Sequence, residues 1–308
     1  TYNLAMSNKN LSILFTGQGS QFPEMGMDLS SNFIWVKERY EQSSDILGYD
    51  VLKIQENPDL LNLTEYSQPS IFIYTSILID FVREKIKSLG SNITLAGHSL
   101  GEYAALYFAN SLIFEDMLRV VKFRGEAMSI VSDPDKYMMY AILKKEDQII
   151  DNSIFGNGVY LANLNSDKQV VICGLKNKLE VFKEKYTLGK YIPLNASAPF
   201  HSELMIESSN LFESKIKEIM FNEVEADVIS NHSLINYKNI SKSDYSNQLK
   251  AQIHSPVMWS DTIKKLISLN VDSFIEIGPK KTLLNFISRN YSGEKIAITN
   301  FEEVNNYV

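Results

Sequence analysis

The sequence contains a single cysteine, Cys173, in 308 residues. No internal disulfide can form from it, and without a CxxC pair or a Cys/His cluster a structural zinc site is excluded. A reducing, cytoplasmic setting with no metal is the expectation. Positive charge is not in surplus either. Thirty basic residues against 37 acidic ones leave a net charge of −7, with no basic stripe, so nucleic acid drops out as a partner. The most apolar segment, "SIFIYTSILIDFV" (70–82), carries Thr75, Ser76 and Asp80 and falls short of the roughly 20 residues that span a bilayer. No membrane span and no signal peptide is expected. Internal repeats, low-complexity tracts and long linkers are also missing. The chain opens at Thr1 with its first methionine at position 6, so its first residues are expected to be either additions to the natural chain or the result of excision from a longer polypeptide, and residues before 8 are set aside.

What is present is an ordinary globular composition, 44% hydrophobic, in which short β-rich runs alternate with longer helical patterns. That alternation predicts an α/β fold built on a parallel sheet covered by helices. Strands are expected at Leu11–Thr16, Asn92–Ala96, Asp227–Ser230, Ser273–Ile277 and Lys295–Thr299. Helical patterns fall near 30–46, 68–88, 100–110, 115–131, 201–219, 256–269 and 281–290. Between about 134 and 197 the rhythm changes: "YMMYAIL", "GVYLAN", "KQVVICG" and "KYIPLN" are four short strand candidates with helical stretches between them. Their spacing predicts a small α+β subdomain, residues 134–197, inserted into a large domain made of residues 8–133 and 198–308.

The expected strand 92–96 ends in Gly97-His98-Ser99-Leu100-Gly101 and runs straight into an Ala-rich helical pattern. A G-x-S-x-G between a strand and a helix is a nucleophile elbow, a turn so tight that side chains flanking the serine would clash. The serine hydroxyl is then held exposed at the sheet end, over a helix N-terminus whose partial positive charge favours an alkoxide and a developing oxyanion. Five residues match often by chance, and the strand-then-helix context is what favours the functional reading.

Such a serine needs a base and, for acyl chemistry, two donors for the oxyanion. Of four histidines, His98 adjoins the serine and points elsewhere, as a structural hydrogen-bonding partner. His232 and His254 lie in loop-like contexts. His201, in "NASAPFHSELM", is delivered by an apolar stretch to the start of a helical pattern, and is the best candidate base, although a lone histidine there is more often a cap or a surface residue. The second glycine motif, "LFTGQGSQF" (14–22), lacks the Lys-Ser/Thr of a P-loop and the third glycine of a dinucleotide fingerprint. Phosphate binding is weakly supported. The alternative is that Gln18, between two glycines, presents one oxyanion N–H beside that of Leu100.

Taken in order, "FTGQGSQ", "YSQPSIF", "GHSLGEYAAL", "VVKFRGEAM", "NLNSDKQVVICG", "APFHS", "QIHSPVMW" and "FIEIGPKKTL" resemble the motif series of one family. It comprises the malonyl-CoA:acyl carrier protein transacylases and the related acyltransferase domains of fatty acid and polyketide synthases. The resemblance implies an α/β-hydrolase-like large domain with a ferredoxin-like small subdomain. It implies a Ser99–His201 dyad in place of a triad, with a backbone carbonyl near Gln252 orienting the imidazole, and the amides of Gln18 and Leu100 as the oxyanion hole. Gln68 and Asn163 match polar positions that line the site. Arg124, which taken alone would more often be a solvated helix residue, matches the position that clamps the free carboxylate of a malonyl group with two parallel hydrogen bonds.

The bulk of Phe200 in "APFH" matches malonyl-selecting patterns, where an α-substituent is excluded. The implied substrate is malonyl-CoA, with no bound cofactor; the implied partner is an acyl carrier protein bearing phosphopantetheine, docked on a basic patch such as the lysines of "KNKLEVFKEKY". Thr16, where fatty acid enzymes more often show proline, tilts the reading toward polyketide synthesis by a trans-acting enzyme. Three competing readings are a hydrolase of the same fold that clears acyl groups from carrier proteins, an α/β-hydrolase esterase, and a non-catalytic binding protein. Arg124 and the "GQGSQ" loop favour transfer over the first two, and the third leaves the ordered motifs unexplained.

Overall fold

Strands with apolar residues at nearly every position need cover on both faces, and a parallel sheet between helix layers supplies it. In the computed structural model, which describes residues 9–88, 92–144 and 150–307, β1 (Asn10–Phe15) is such a strand, buried at every residue after Asn10. The chain then passes through α1 (Met27–Asn32), α2 (Ile34–Leu47), α3 (Val51–Glu56), α4 (Pro58–Leu61) and the 25-residue α5 (Thr64–Ser88). It continues through β2 (Asn92–Gly97), α6 (Gly101–Phe108), α7 (Phe114–Ser129), β3 (Tyr137–Lys144), β4 (Val159–Ser166), β5 (Gln169–Leu175), α8 (Lys176–Lys185) and β6 (Gly189–Pro193). The last part holds α9 (Ile206–Ile216), β7 (Asp227–Ile229), α10 (Tyr245–His254), α11 (Trp259–Ser268), β8 (Ser273–Ile277), β9 (Glu294–Ile298) and α12 (Phe301–Tyr307).

The first sheet has the order β7-β2-β1-β8-β9 and every pair in it is parallel. Phe15 lies opposite both Gly97 and Ile277, so the three central strands end level. The loops after them, at 16–20, 98–100 and 278–282, share one edge, where open α/β sheets place their sites. Helix α5 is buried at every position from Ser67 to Ile79, which makes the most apolar stretch of the sequence a core helix. The second sheet, β4-β5-β3-β6, is antiparallel throughout, the strand order of a ferredoxin-like unit. Leu179 and Phe182 of α8 pack into its core. The β4 edge of the small sheet is tied to the segment between α10 and α11, where Val257 N–H donates to the Ala162 carbonyl (2.9 Å) and Leu164 N–H to the Val257 carbonyl (2.8 Å).

All five expected strands of the large sheet and all four of the small one form. Residue 8, the expected start of the large domain, lies outside the described residues, as do 145–149 in the small one. One helical pattern is corrected: 281–290 contains only the short 3-10 turn Leu283–Phe286. The Glu276 carboxylate, reaching back from β8, accepts from the N–H groups of Thr282, Leu283 and Leu284, so side-chain capping takes the donors that end the loop. The pattern at 30–46 is two helices, broken where Phe33 turns extended (φ −130°, ψ 118°). His254, expected in a loop, closes α10. The short helices α3, α4 and α12 show too few turns for periodicity to reveal.

At the join of β2 and α6 backbones meet without room for a methyl group. A Cβ on Gly97 would fall 1.9 Å from the Gly101 carbonyl carbon, and one on Gly101 would fall 2.0 Å from the Phe15 carbonyl oxygen. Gly48, which ends α2, is different: its φ of +81° favours glycine, but nothing lies within 4 Å of its missing Cβ. Gly101→Ala is therefore expected to cost at least about 3 kcal/mol of folding stability, against about 1 kcal/mol for Gly48→Ala. Urea denaturation of both variants measures the contrast, and equal losses would contradict this account of the join.

Candidate active site

Ser99 follows the end of β2 and precedes α6, with a φ of 51° in the left-handed region that non-glycine residues avoid. The surroundings hold it there. Gly97 and Gly101 admit the crossing backbones, and Gly17, whose Cβ would lie 2.4 Å from the His98 carbonyl oxygen, brings the loop after β1 against the same turn. Glycine serves Gly19 differently, through a φ of +98° with open space around it. Among the described residues neither the Gln18 nor the Leu100 N–H donates to another group, so both amides at this turn are free for a ligand oxygen.

The Ser99 hydroxyl donates to Nε2 of His201 at 2.7 Å. Nδ1 of the same ring lies 2.9 Å from the Gln252 backbone carbonyl. A carbonyl only accepts, so Nδ1 carries the proton and Nε2 is left as an acceptor, the tautomer a general base requires. His201 is itself left-handed, with a φ of 60°, and sits just ahead of the one-turn helix Glu203–Met205. Burial, and then the Arg124 charge, push its pKa down to about 3. Both effects disfavour the imidazolium and keep the ring neutral.

Arg124 comes from α7 and is 1% exposed. Gly125 beside it lets α7 approach α5 so closely that a Cβ there would sit 3.2 Å from the Glu65 Cα. The guanidinium donates to Gln68 Oε1 (2.7 Å), Gln252 Oε1 (2.9 Å) and the Ser99 Oγ (3.0 Å). It also lies over the Tyr103 ring, 5.1 Å from the centroid. All its hydrogen-bond acceptors are neutral, and its Nε has no partner among the described residues. Burial lowers its pKa, yet a guanidinium remains protonated in proteins.

Ser99, His201, Gln18, His98, Phe200 and Asn163 line one cavity of about 430 Å³, with Met128, Met139 and Leu194 supplying apolar wall and Lys280 at its edge. Gln68 and Gln252 lie behind the wall with Arg124, each 0% exposed. The Gln18 side chain bonds Thr64 and Gln68. Asn163 Oδ1 is buried without a partner among the described residues. His98 serves another purpose than its neighbour: Asn165 Nδ2 donates to Gln169, so its Oδ1 is an acceptor and His98 donates to it through Nε2 at 2.9 Å. The residue that sequence reading passed over is Glu102, fully buried on α6 and bonded to Gln252. An acidic residue in the otherwise apolar helix "GEYAALYF" was its signal. A larger cleft of about 540 Å³, between α11 and residues 285–290, contains none of these groups.

Residues 13–301 match the family described as acyl transferase domain. Over 278 residues the chain is 34% identical to the malonyl CoA-acyl carrier protein transacylase of Synechocystis sp., covering 90% of this chain and 92% of that protein. It is 32% identical over 292 residues to the polyketide biosynthesis malonyl CoA-acyl carrier protein transacylase BaeC of Bacillus velezensis, covering 91% and 96%. Among solved structures it superposes with a TM-score of 0.86 on PlMCAT:AntF (holo), a type II PKS acyl-carrier protein in complex with its malonyl-transacylase. That match has 28% identity and covers 97% of this chain and 98% of the other.

The buried imidazole predicts a pH dependence of stability. An unfolded histidine titrates near pH ~6.5, whereas folded His201 stays neutral down to about 3. Between these values the unfolded chain binds the extra proton, so the contribution is complete above pH ~6.5 and is lost below it, by up to about 1.4 kcal/mol per pH unit. Urea denaturation at pH 7, 6 and 5 is expected to show a steeper loss for the wild type than for His201→Gln, which cannot titrate. Parallel losses would mean that His201 is not held neutral.

Proposed function

Since the chain belongs to the acyl transferase domain family, we propose that it moves malonyl groups from malonyl-CoA to the phosphopantetheine thiol of an acyl carrier protein, with Ser99 as the way-station. It is an acyltransferase of fatty acid or polyketide biosynthesis. The observation that carries the malonyl reading is the Arg124 guanidinium, buried beside Ser99 and held only by neutral oxygens. Its one carboxylate neighbour among the described residues, Glu102, reaches it only through Gln252, so the cation has no direct ion pair, a costly state in a buried site. A carboxylate at the far end of the acyl group supplies one through two parallel charge-assisted hydrogen bonds. An acetyl group supplies nothing, and the penalty falls on the wrong substrate.

The steps follow from the hydrogen bonds. His201 Nε2 takes the Ser99 proton while Oγ attacks the thioester carbonyl, and the Gln252 carbonyl holds the ring as it becomes charged. The oxyanion rests on the Gln18 and Leu100 amides. Its collapse breaks the C–S bond, the thiolate of coenzyme A takes the proton back from Nε2, and malonyl-O-Ser99 remains. The carrier thiol then gives its proton to His201 and attacks in turn, and Ser99 leaves reprotonated. Phe200, in the cavity wall, limits substituents next to the carbonyl.

This reading takes residues 8–133 and 198–308 as the catalytic domain and 134–197 as the small one, supported by strands β3 to β6 all lying between 137 and 193. The exposed lysines of α8 are offered as a docking face for the acidic carrier protein. Among the described residues no helix is long and apolar enough to cross a membrane. The lone Cys173, buried and unpaired, supports the cytoplasm as the working compartment.

Incubation with malonyl-CoA is expected to add one malonyl mass to the protein and none to Ser99→Ala. In Arg124→Ala the rate of malonyl labelling should fall about 100-fold or more, with the acetyl-CoA rate much less affected. Labelling by acetyl-CoA in preference to malonyl-CoA would overturn the malonyl reading. Release of free malonate in place of carrier-protein loading would assign the chain to the hydrolases of this fold.

A further inference from the structure

Glu102 is 0% exposed, and the dyad chemistry makes no use of it. Its carboxylate accepts from the Tyr237 hydroxyl (2.5 Å), the Asn231 N–H (3.0 Å), the Asn231 side-chain amide, and Gln252 Nε2 (3.0 Å). All of these donors are neutral. Burying an ionised carboxylate among neutral donors is expensive in an apolar core, and a role confined to packing is served better by an apolar side chain.

The connection to Gln252 gives the carboxylate something to do. The Gln252 side chain has one acceptor end and one donor end. Oε1 faces Arg124, which can only donate; Nε2 faces Glu102 and, at 3.1 Å, the Ser99 backbone carbonyl, which only accept. Reversing the amide would set donor against donor at Arg124 and acceptor against acceptor at Glu102. The same residue's backbone carbonyl holds the His201 ring.

We infer that Glu102 is a positioning residue for donor selection: its carboxylate locks the Gln252 amide so that Oε1 faces Arg124, which aims the guanidinium at the place where the acyl carboxylate binds. This rests on the carboxylate-clamp reading of Arg124. Glu102 touches neither substrate nor reacting atoms, and it acts through Gln252 on the preference between acyl groups. Glu102→Gln keeps the shape, and Tyr237 can rotate its hydroxyl to accept from the new amide, so the fold is expected to survive. What is lost is the charge that strengthens the Gln252 bond.

The test is the ratio of Ser99 labelling rates from malonyl-CoA and acetyl-CoA, followed by intact mass. Glu102→Gln is expected to lower that ratio roughly five- to tenfold, the difference between a charge-assisted and a neutral hydrogen bond. In a Gln252→Met background the same substitution should have no further effect, because the relay is already gone. An unchanged ratio in Glu102→Gln, or an equal drop in both backgrounds, overturns the proposal, the second by showing that Glu102 acts without Gln252. Should the amide variant fail to fold, Glu102→Asp keeps the charge but shortens the reach; it is expected to lose selectivity too, and a retained ratio refutes the role. A wild-type protein with no preference for malonyl-CoA would instead refute the clamp reading itself, whatever Glu102 does.

Discussion

The Arg124 guanidinium, enclosed by protein and satisfied only by neutral oxygens, sets the terms for the structure around it. A cation taken out of water must have every donor direction answered or matched by an anion. Gln68 from α5, Gln252 from α10 and Ser99 from the elbow each answer one, and Tyr103 presents a ring face. For those side chains to converge, α7 must press against α5 at Gly125, and the end of α10 must reach the sheet edge that carries Ser99. The carboxylate-clamp proposal turns the cost that remains into a preference for acyl groups carrying their own carboxylate.

Placement of the Ser99–His201 hydrogen-bonded pair depends on strain held by packing. Ser99 and His201 both occupy left-handed backbone conformations, each costing on the order of 1–3 kcal/mol. They persist because neighbouring backbones leave no alternative: Gly17, Gly97 and Gly101 let three chain segments approach within the space of one side chain. The level ends of β1, β2 and β8 bring the loops of residues 16–20, 98–100 and 278–282 together. The small sheet, tied to the large domain through Val257, closes the other side of the cavity with Asn163. Rigid strands beneath and packed loops above are what a site with a 2.7 Å serine–histidine contact requires.

Much of this was legible in the chain. Every strand was, the central ones because they are short apolar runs buried nearly throughout and the partly exposed β4, β6 and β9 because β-prone residues recur at strand spacing. So was the elbow, because only glycine tolerates those contacts. The 3-10 turn at 283–286 was not, since its geometry is dictated by Glu276 on another element. Arg124 alone read as a solvated helix residue, and only a set of motifs spread over about 270 residues argued that it turns inward. Glu102 was missed because an acid in a helix is ordinarily a surface residue; here its donors come from Asn231, Tyr237 and Gln252, well over 100 positions away.

By itself the sequence determined the elements, the glycine-flanked serine of the strand-to-helix turn and the chemical types available to the site, because periodicity, glycine spacing and side-chain chemistry are local properties of a chain. Tertiary structure alone decided which nitrogen of His201 faces Ser99, that Asn165 is the partner His98 turns to, and that one residue, Gln252, serves His201, Arg124 and Glu102 together. Hydrogen bonds between residues far apart in sequence have no local signature: donor and acceptor roles are fixed only when the folded chain presents each group with a partner that can do no other.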